Sequence, residues 1–223
     1  FGNGSNHGFA RGINIGARQA KGEFLLFVNP DAEWSSGSIN DLLSVFEKNE
    51  KIGIAGGKII GKNEISEKSA GKFLGFWASC LTAFGLDEVL GIRFSPNEVC
   101  RVDFVSGGFM MVRSDLFKKL SGFDENLFMY IEDVELCFRA KKAGYLTYFV
   151  PSAVLVHEGH GSASRGFAIK NIYRGIFYFQ KKHVNTLSYF VIKFLFGAKA
   201  AVLVLMGKIL NNIIRINFFI VRN

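Results

Sequence analysis

The stretch Glu23–Asn29, EFLLFVN, constrains the fold more than any other part of this 223-residue chain. Its apolar residues form an unbroken row that stops at Pro30-Asp31, the pattern of a strand covered on both faces, as in a parallel sheet. Helical patterns stand on either side. Gly8–Lys21 reads as a loop leading into a helix, with Gly12, Gly16 and Ala20 spaced four apart. Ser38 is placed to cap a helix whose apolar positions Ile39, Leu42, Leu43 and Phe46 follow i, i+3, i+4, i+7. Ile52–Ile60 carries a second strand signal, interrupted by Gly56-Gly57. Helix and strand in alternation predict an α/β layered domain.

Residues 61–100 show no clear periodicity. Aromatics Phe73, Phe76, Trp77, Phe84 and Phe94 alternate with glycines and charges there, as in a variable insertion or loop near a binding surface. Strand signals return at Val102–Ser106 and Phe109–Arg113, separated by Gly107-Gly108, and Ser114 is placed to cap a helix over Asp115–Leu120 that stops at Gly122. Ile131–Ala143 has acids in its first turn and Arg139, Lys141 and Lys142 in its last, matching the helix dipole. Tyr145–Val150 and Ala153–His157 read as strands broken at Pro151, followed by a loop, HEGHGSASRG.

Charge divides the chain in two. From Arg165 onward there are ten Lys or Arg and no acid, whereas residues 1–164 carry 17 basic and 19 acidic side chains. Residues 1–165 are therefore expected to form the α/β domain, and residues 166–223 a basic, apolar helical tail. A positive tail on a slightly acidic body argues against a nucleic-acid-binding domain and for an anionic membrane surface. Leu187–Met206 is long enough to span a bilayer, but Lys193 and Lys199 make spanning costly, so the tail reads as amphipathic helices lying in the interface. Cys80, Cys100 and Cys137 are odd in number and lack CxxC spacing, which predicts reduced thiols without a disulfide framework or structural zinc.

Three polar positions sit where strands end or helices begin, the places where open α/β sheets bind ligands. Asp31 follows the buried strand and suits a divalent cation on a diphosphate, although a turn aspartate would look the same. Glu132-Asp133 opens a helix; neighbouring side chains there point about 100° apart, so one can serve as a general base while the other meets substrate or solvent. Dipole compensation explains the pair equally well. His157 ends an apolar run, and with His160 it hints at zinc, but no further Cys or His at suitable spacing supports that. Phosphate-binding P-loop, dinucleotide-binding and nucleophile-elbow motifs are absent from the sequence.

The segments NHGFARGINIGARQAKGEFLLFVNPDA, VDFVSGGFMMVRSDLF, GFDENLFMYIEDVELCFRAKKAGY and VPSAVLVHEGHGS, taken in order, resemble the family 2 glycosyltransferases, and within them the rhamnosyltransferase-like enzymes of bacterial surface polysaccharide synthesis. The resemblance covers about Asn6 to Ser162. It implies a GT-A fold, a Rossmann-like mixed sheet flanked by helices, and inverting transfer of a sugar from a nucleotide-sugar to a glycan or lipid-linked glycan acceptor. Asp31 then matches the position that holds Mg2+ or Mn2+ against the donor diphosphate, with Asn29 where the first aspartate of the DxD motif usually stands. Asp133 matches the catalytic base, His157 a metal- or diphosphate-holding histidine, and Gly107, Gly108 and Glu132 the acceptor-side wall. Members of the family usually open with strands and a helix that contact the nucleotide base and ribose, and no such segment precedes Phe1. The expectation is that this chain alone binds nucleotide-sugar poorly and works at the cytoplasmic face of the membrane, peripherally. A catalytically inactive remnant or binding subunit of that ancestry, and a metal-dependent hydrolase using Asp31 and Asp133, are the competing readings.

Overall fold

Two-sided burial of the EFLLFVN strand organises the molecule, whose computed structural model describes residues 6–61, 65–157 and 164–220. In chain order the elements are α1 (Phe9–Ala17), β1 (Phe24–Val28), β2 (Ala32–Ser36), α2 (Ile39–Lys48), β3 (Ile52–Gly61), β4 (Ala70–Gly71), α3 (Phe76–Ala83), β5 (Arg93–Phe94), β6 (Cys100–Val102), β7 (Phe104–Val105), β8 (Phe109–Arg113), α4 (Ser114–Lys119), α5 (Glu132–Lys142), β9 (Leu146–His157), α6 (Arg165–Phe179), a π-helical turn (Gln180–Val184) and α7 (Thr186–Ile220). The main sheet runs β1-β8-β3-β9-β2, with β6 also paired to β9, and a small sheet runs β5-β4-β7.

Each central strand sends alternate residues into two separate cores. Leu25, Phe27, Ile54, Met110, Val112 and Phe149 pack on the side covered by α5, α6 and α7. Phe24, Leu26, Ile52, Ala55, Phe109, Met111 and Leu155 pack on the side covered by α2. This is a three-layer α/β/α arrangement, and burial on both faces supplies the bulk of its stability. The sheet is mixed: β1 pairs antiparallel with β8 (Phe24 opposite Arg113), and β3 with β9 is its parallel pair. A continuous apolar run records two covered faces, not strand direction, so the parallel neighbour expected for β1 is replaced by an antiparallel one.

Four local expectations need correction. Gly56-Gly57 do not interrupt β3; they let the layers close, since a Cβ on Gly56 would sit 2.5 Å from the Val105 side chain and one on Gly57 would overlap the Phe109 ring. Likewise Pro151 does not end a strand, because β9 runs through it and absorbs the irregularity as a register shift against Gly57 and Lys58. The apolar run Val102–Ser106 is split between two sheets, β6 pairing with β9 and β7 with β4. Ser114 is already inside α4, and its hydroxyl bonds the Gly22 carbonyl instead of capping. Ser38 caps α2 as expected, in a reciprocal arrangement with Asp41. The three cysteines are free.

The tail departs from expectation in a different way. α7 is one continuous helix, apolar more than basic, and among the described residues Thr186–Gly207 is long and apolar enough to cross a membrane. Val202, Leu203, Val204, Leu205 and Met206 are all exposed, so this stretch is apolar all round and has no polar face. Part of the tail's positive charge is also used internally. Lys182 bonds Asp124 and Glu135 (2.5 and 2.8 Å), and His183 Nε2 lies 3.0 Å from the same Glu135 oxygen. Arg139 takes the other Glu135 oxygen at 2.7 Å and donates to the carbonyls of Leu120 and Gly122. Gln180 donates to Leu74 O and Ser79 Oγ, which ties the π-helical turn to α3. Glu135 is thus the buried counter-ion that fastens the tail to α5, not a dipole-compensating surface acid.

Burial works against ionisation of Glu135, but His183, Arg139 and Lys182 outweigh it and bring its pKa to about 2. A value depressed below the ordinary 4.5 adds stability that is complete above that pH and is lost as pH falls toward 2. Glu135→Gln is expected to cost about 3 kcal/mol at neutral pH, at the low end for a buried pair because Lys182 reaches water. In thermal melts the gap from the unsubstituted chain should close as the pH drops through that window; a gap independent of pH would contradict the assignment.

Candidate active site

The glycine pair between β7 and β8 brings the candidate residues together. The Asn29 amide donates to the Gly108 carbonyl at 3.0 Å, which continues the β1–β8 ladder to the end of β1. From the other side the Gly107 amide donates to Asp133 Oδ2, also at 3.0 Å. Ser106 holds the turn, its carbonyl accepting from the Phe109 amide and its hydroxyl from the Gly108 amide. Both glycines are buried, and a Cβ on Gly108 would lie 2.7 Å from the Asn29 amide group. Asn29, Gly107, Gly108 and Asp133 therefore form one contact chain at one end of the sheet.

Asp133 is half-buried at the start of α5, its second oxygen accepting from its own helix at the Val134 amide (2.8 Å). Desolvation pushes its pKa up, while the Gly107 and Val134 amides and the charge of Arg93 pull against it. A carboxylate held by backbone donors, with its pKa raised by burial, is a stronger proton acceptor than an exposed one. Delivering it there strains the chain: Tyr130 and Ile131 adopt φ of 69° and 70°, a left-handed conformation that a β-branched residue rarely takes. Gly175 of α6 leaves room for this, since a Cβ on it would stand 2.7 Å from the Ile131 side chain.

Glu132 is buried, and among the described residues its Oε2 has no hydrogen-bond partner. Burial first, and the Asp133 charge second, raise its pKa well above the usual carboxylate range.

Asp31 and His157 meet on the other side of the glycine turn. The Ala32 amide bonds the Asn29 carbonyl (3.1 Å), making a tight Asn29–Ala32 turn, and Ala32 pairs with His157 across β2 and β9. This register puts Asp31 Oδ2 3.1 Å from His157 Nε2, both side chains partly open to solvent. Two ligands about 2.0–2.1 Å from an octahedral cation and at right angles would be about 2.9 Å apart, so the carboxylate–imidazole pair fits a divalent cation such as Mg2+ or Mn2+. Among the described residues no three His, Cys, Asp or Glu side chains form a metal-holding group, which leaves the remaining positions to ligand or water oxygens. His160, the second half of the suspected zinc pair, lies outside the described residues.

Two contributors were not visible in the sequence, and both come from the stretch without periodicity. Glu67 Oε1 lies 3.1 Å from His157 Nδ1, and Arg93 of β5 acts electrostatically on Asp133. No spacing or motif singles either one out. A separate cavity of about 340 Å³, lined by Asn14, Gly122, Asp124, Arg139 and Lys182 among others, contains none of the candidate site residues.

The Glu132 environment has a measurable consequence. A carboxyl whose folded-state pKa lies above its unfolded value weakens folding as pH rises through the interval between them. The unsubstituted chain should therefore lose stability above the ordinary value of 4.5, and Glu132→Gln should lose less. Melting temperatures are expected to coincide in acid and to favour the Gln variant by a few degrees at about pH 8; parallel pH profiles would contradict this.

Residues 2–177 match the family described as Glycosyltransferase like family 2. The chain is 34% identical over 155 residues to the N-acetylglucosaminyl-diphospho-decaprenol L-rhamnosyltransferase of Mycobacterium tuberculosis, covering 63% of this chain and 48% of that protein. To rhamnosyltransferase WbbL of Escherichia coli (strain K12) it is 30% identical over 174 residues, 70% of this chain and 63% of the relative. The chain thus spans about half to two thirds of the length of these relatives. The crystal structure of GalNAc-T7 with UDP, GalNAc and Mn2+ has the same fold, with TM-score 0.56 at 18% identity over 79% of this chain and 35% of that one. With its central sheet, flanking helices and most of its length so matched, the chain belongs to the family 2 glycosyltransferases and has their GT-A fold.

Proposed function

We propose that this chain transfers a sugar, with inversion, from a nucleotide-sugar to a glycan or lipid-linked glycan acceptor in cell-surface polysaccharide synthesis. The observation that carries the reading is the glycine turn, which joins Asn29, two residues from Asp31, to Asp133 through one backbone bond and one bond to the Asp133 carboxylate, within the family-matched region. The names of the two rhamnosyltransferase relatives favour rhamnose as the sugar and, for the mycobacterial one, a diphospholipid-linked acceptor.

Asp133 is the base. The acceptor hydroxyl attacks the anomeric carbon from the face opposite the diphosphate, its proton passes to a carboxylate oxygen of Asp133, and the bond to the diphosphate breaks in the same displacement. A single displacement through an oxocarbenium-like state inverts the configuration. The Gly107 and Val134 amides fix the carboxylate without occupying all its lone pairs. Gly107, Gly108 and Glu132 form the acceptor wall, the bare glycine backbone allowing a sugar to approach closely. Asn29, which stands where a second acid is common, offers an amide to the donor. Asp31 and His157 would hold Mg2+ or Mn2+, which when bound neutralises charge on the departing diphosphate.

The exposed apolar length of α7 supports a seat for the domain against lipid at the cytoplasmic face, where a lipid-linked acceptor would be met. Lys193 and Lys199 lie along the same helix and give it a positive charge that favours anionic headgroups. Glu135 and Gln180 fasten this helix, through the π-helical turn, to the domain that holds the site.

With dTDP-rhamnose, and UDP- and GDP-sugars in parallel, Asp133→Asn is expected to reduce transfer by about 10²–10⁴-fold while leaving the fold intact by circular dichroism. Equal turnover by both proteins would refute the base assignment, sugar release without an acceptor would favour a hydrolase, and no transfer by the unsubstituted chain would favour a binding subunit. Deleting residues 187–223 is expected to abolish co-flotation with anionic vesicles; undiminished flotation would refute the membrane role of α7.

A further inference from the structure

We propose that Glu67 is a positioning residue for the cation site: it holds the His157 ring by Nδ1 so that the Nε2 lone pair faces Asp31. The inference rests on the reading above, in which Asp31 and His157 hold the divalent cation.

His157 lies between two carboxylates, one at each ring nitrogen. Nε2 is 3.1 Å from Asp31 Oδ2, and Nδ1 is 3.1 Å from Glu67 Oε1. A neutral imidazole has one N–H and one lone pair, and the partner at one nitrogen decides what the other presents. A cation at Nε2 takes the lone pair there and leaves the N–H at Nδ1, where Glu67 accepts it. Nε2 then turns a lone pair toward a carboxylate oxygen at hydrogen-bond distance, an arrangement that repels unless a positive charge lies between them. Imidazole ligands with a carboxylate on the far nitrogen are a recurrent way of fixing tautomer and ring orientation at a cation, and of raising ligand basicity.

The main chain brings Glu67 to this place and keeps it there independently of its side chain. Its amide donates to the Ile59 carbonyl at 2.9 Å, beside the end of β3. Its carbonyl accepts from the Ser95 hydroxyl at 2.6 Å. β3 in turn pairs with β9 up to Gly61 opposite His157. Removing the Glu67 carboxylate therefore leaves the backbone bonds that hold Glu67 beside β3, so the side chain can be tested apart from the fold. The interaction also assigns a task to the stretch 61–100, which touches the site from a side that no sequence motif marks.

The test is a Mn2+ titration of the full chain in detergent, following the free-ion paramagnetic resonance signal, with thermal melts as the control for folding. Glu67→Ala is expected to weaken Mn2+ by about 10–100-fold with an unchanged melt. Glu67→Gln, whose carbonyl oxygen can still accept from Nδ1–H, should stay close to the unsubstituted chain. Asp31→Asn and His157→Ala are the controls for the site itself. If these two lose Mn2+ and Glu67→Ala does not, the role of Glu67 is refuted while the cation site stands. Equal losses in Glu67→Ala and Glu67→Gln would refute the hydrogen-bond role. If the unsubstituted chain fails to bind Mn2+, the cation reading falls and this inference with it.

Discussion

The hydrogen bond from the Gly107 amide to Asp133 is the contact on which the site depends. It is made by a turn with no side chains of its own, at the point where β8 enters the sheet beside β1. Because Gly108 is equally bare, Asn29 can close against it, and the end of β1 and the start of α5 become neighbours through two residues of backbone. A Cβ on Gly108 would collide with the Asn29 side chain, whereas one on Gly107 would press only lightly on the Phe9 ring. The two halves of the proposed chemistry, cation-holding and proton-accepting, thus share one rigid support with few degrees of freedom.

α5 is asked to do two things, and its sequence shows both. Its first turn places Glu132 and Asp133, at the cost of left-handed Tyr130 and Ile131 and of a buried Glu132 oxygen that no described residue bonds. One turn on, Glu135 and Arg139 are satisfied by Lys182, His183 and the carbonyls of Leu120 and Gly122, while Val134, Leu136, Cys137 and Ala140 fill the core. Strain at the site is thus offset by well-paired charge and apolar packing in the same helix. The same pairs connect the tail to the site, so a membrane-bound α7 would hold the cleft at a set orientation to lipid.

Much of this was legible in the chain, for reasons that differ between elements. The EFLLFVN strand, the Ser38-capped helix and the α5 segment announce themselves through local pattern, which backbone geometry and the dipole enforce directly. Asp31, Glu132, Asp133 and His157 could be picked out because each terminates such a pattern. What the pattern withheld was partnership. Nothing local tells that β1 runs antiparallel to β8, that Gly56-Gly57 serve layer spacing, or that Glu135 is the counter-ion of a tail 47 residues further on at Lys182. Glu67 and Arg93 were invisible for the same cause, since their roles exist only across the fold. Recurring lysines predict an amphipathic tail, whereas the run Val202–Met206 is exposed and apolar throughout.

The most direct test of the central claim is a structure of the full chain with Mn2+ and a nucleoside diphosphate sugar. The account predicts Mn2+ between Asp31 and His157, the diphosphate upon it, and the anomeric carbon facing the Asp133 carboxylate beside Gly107. A nucleotide seated elsewhere, such as in the cavity lined by Asn14, Arg139 and Lys182, with Asp31 and Asp133 contacting nothing, would contradict it.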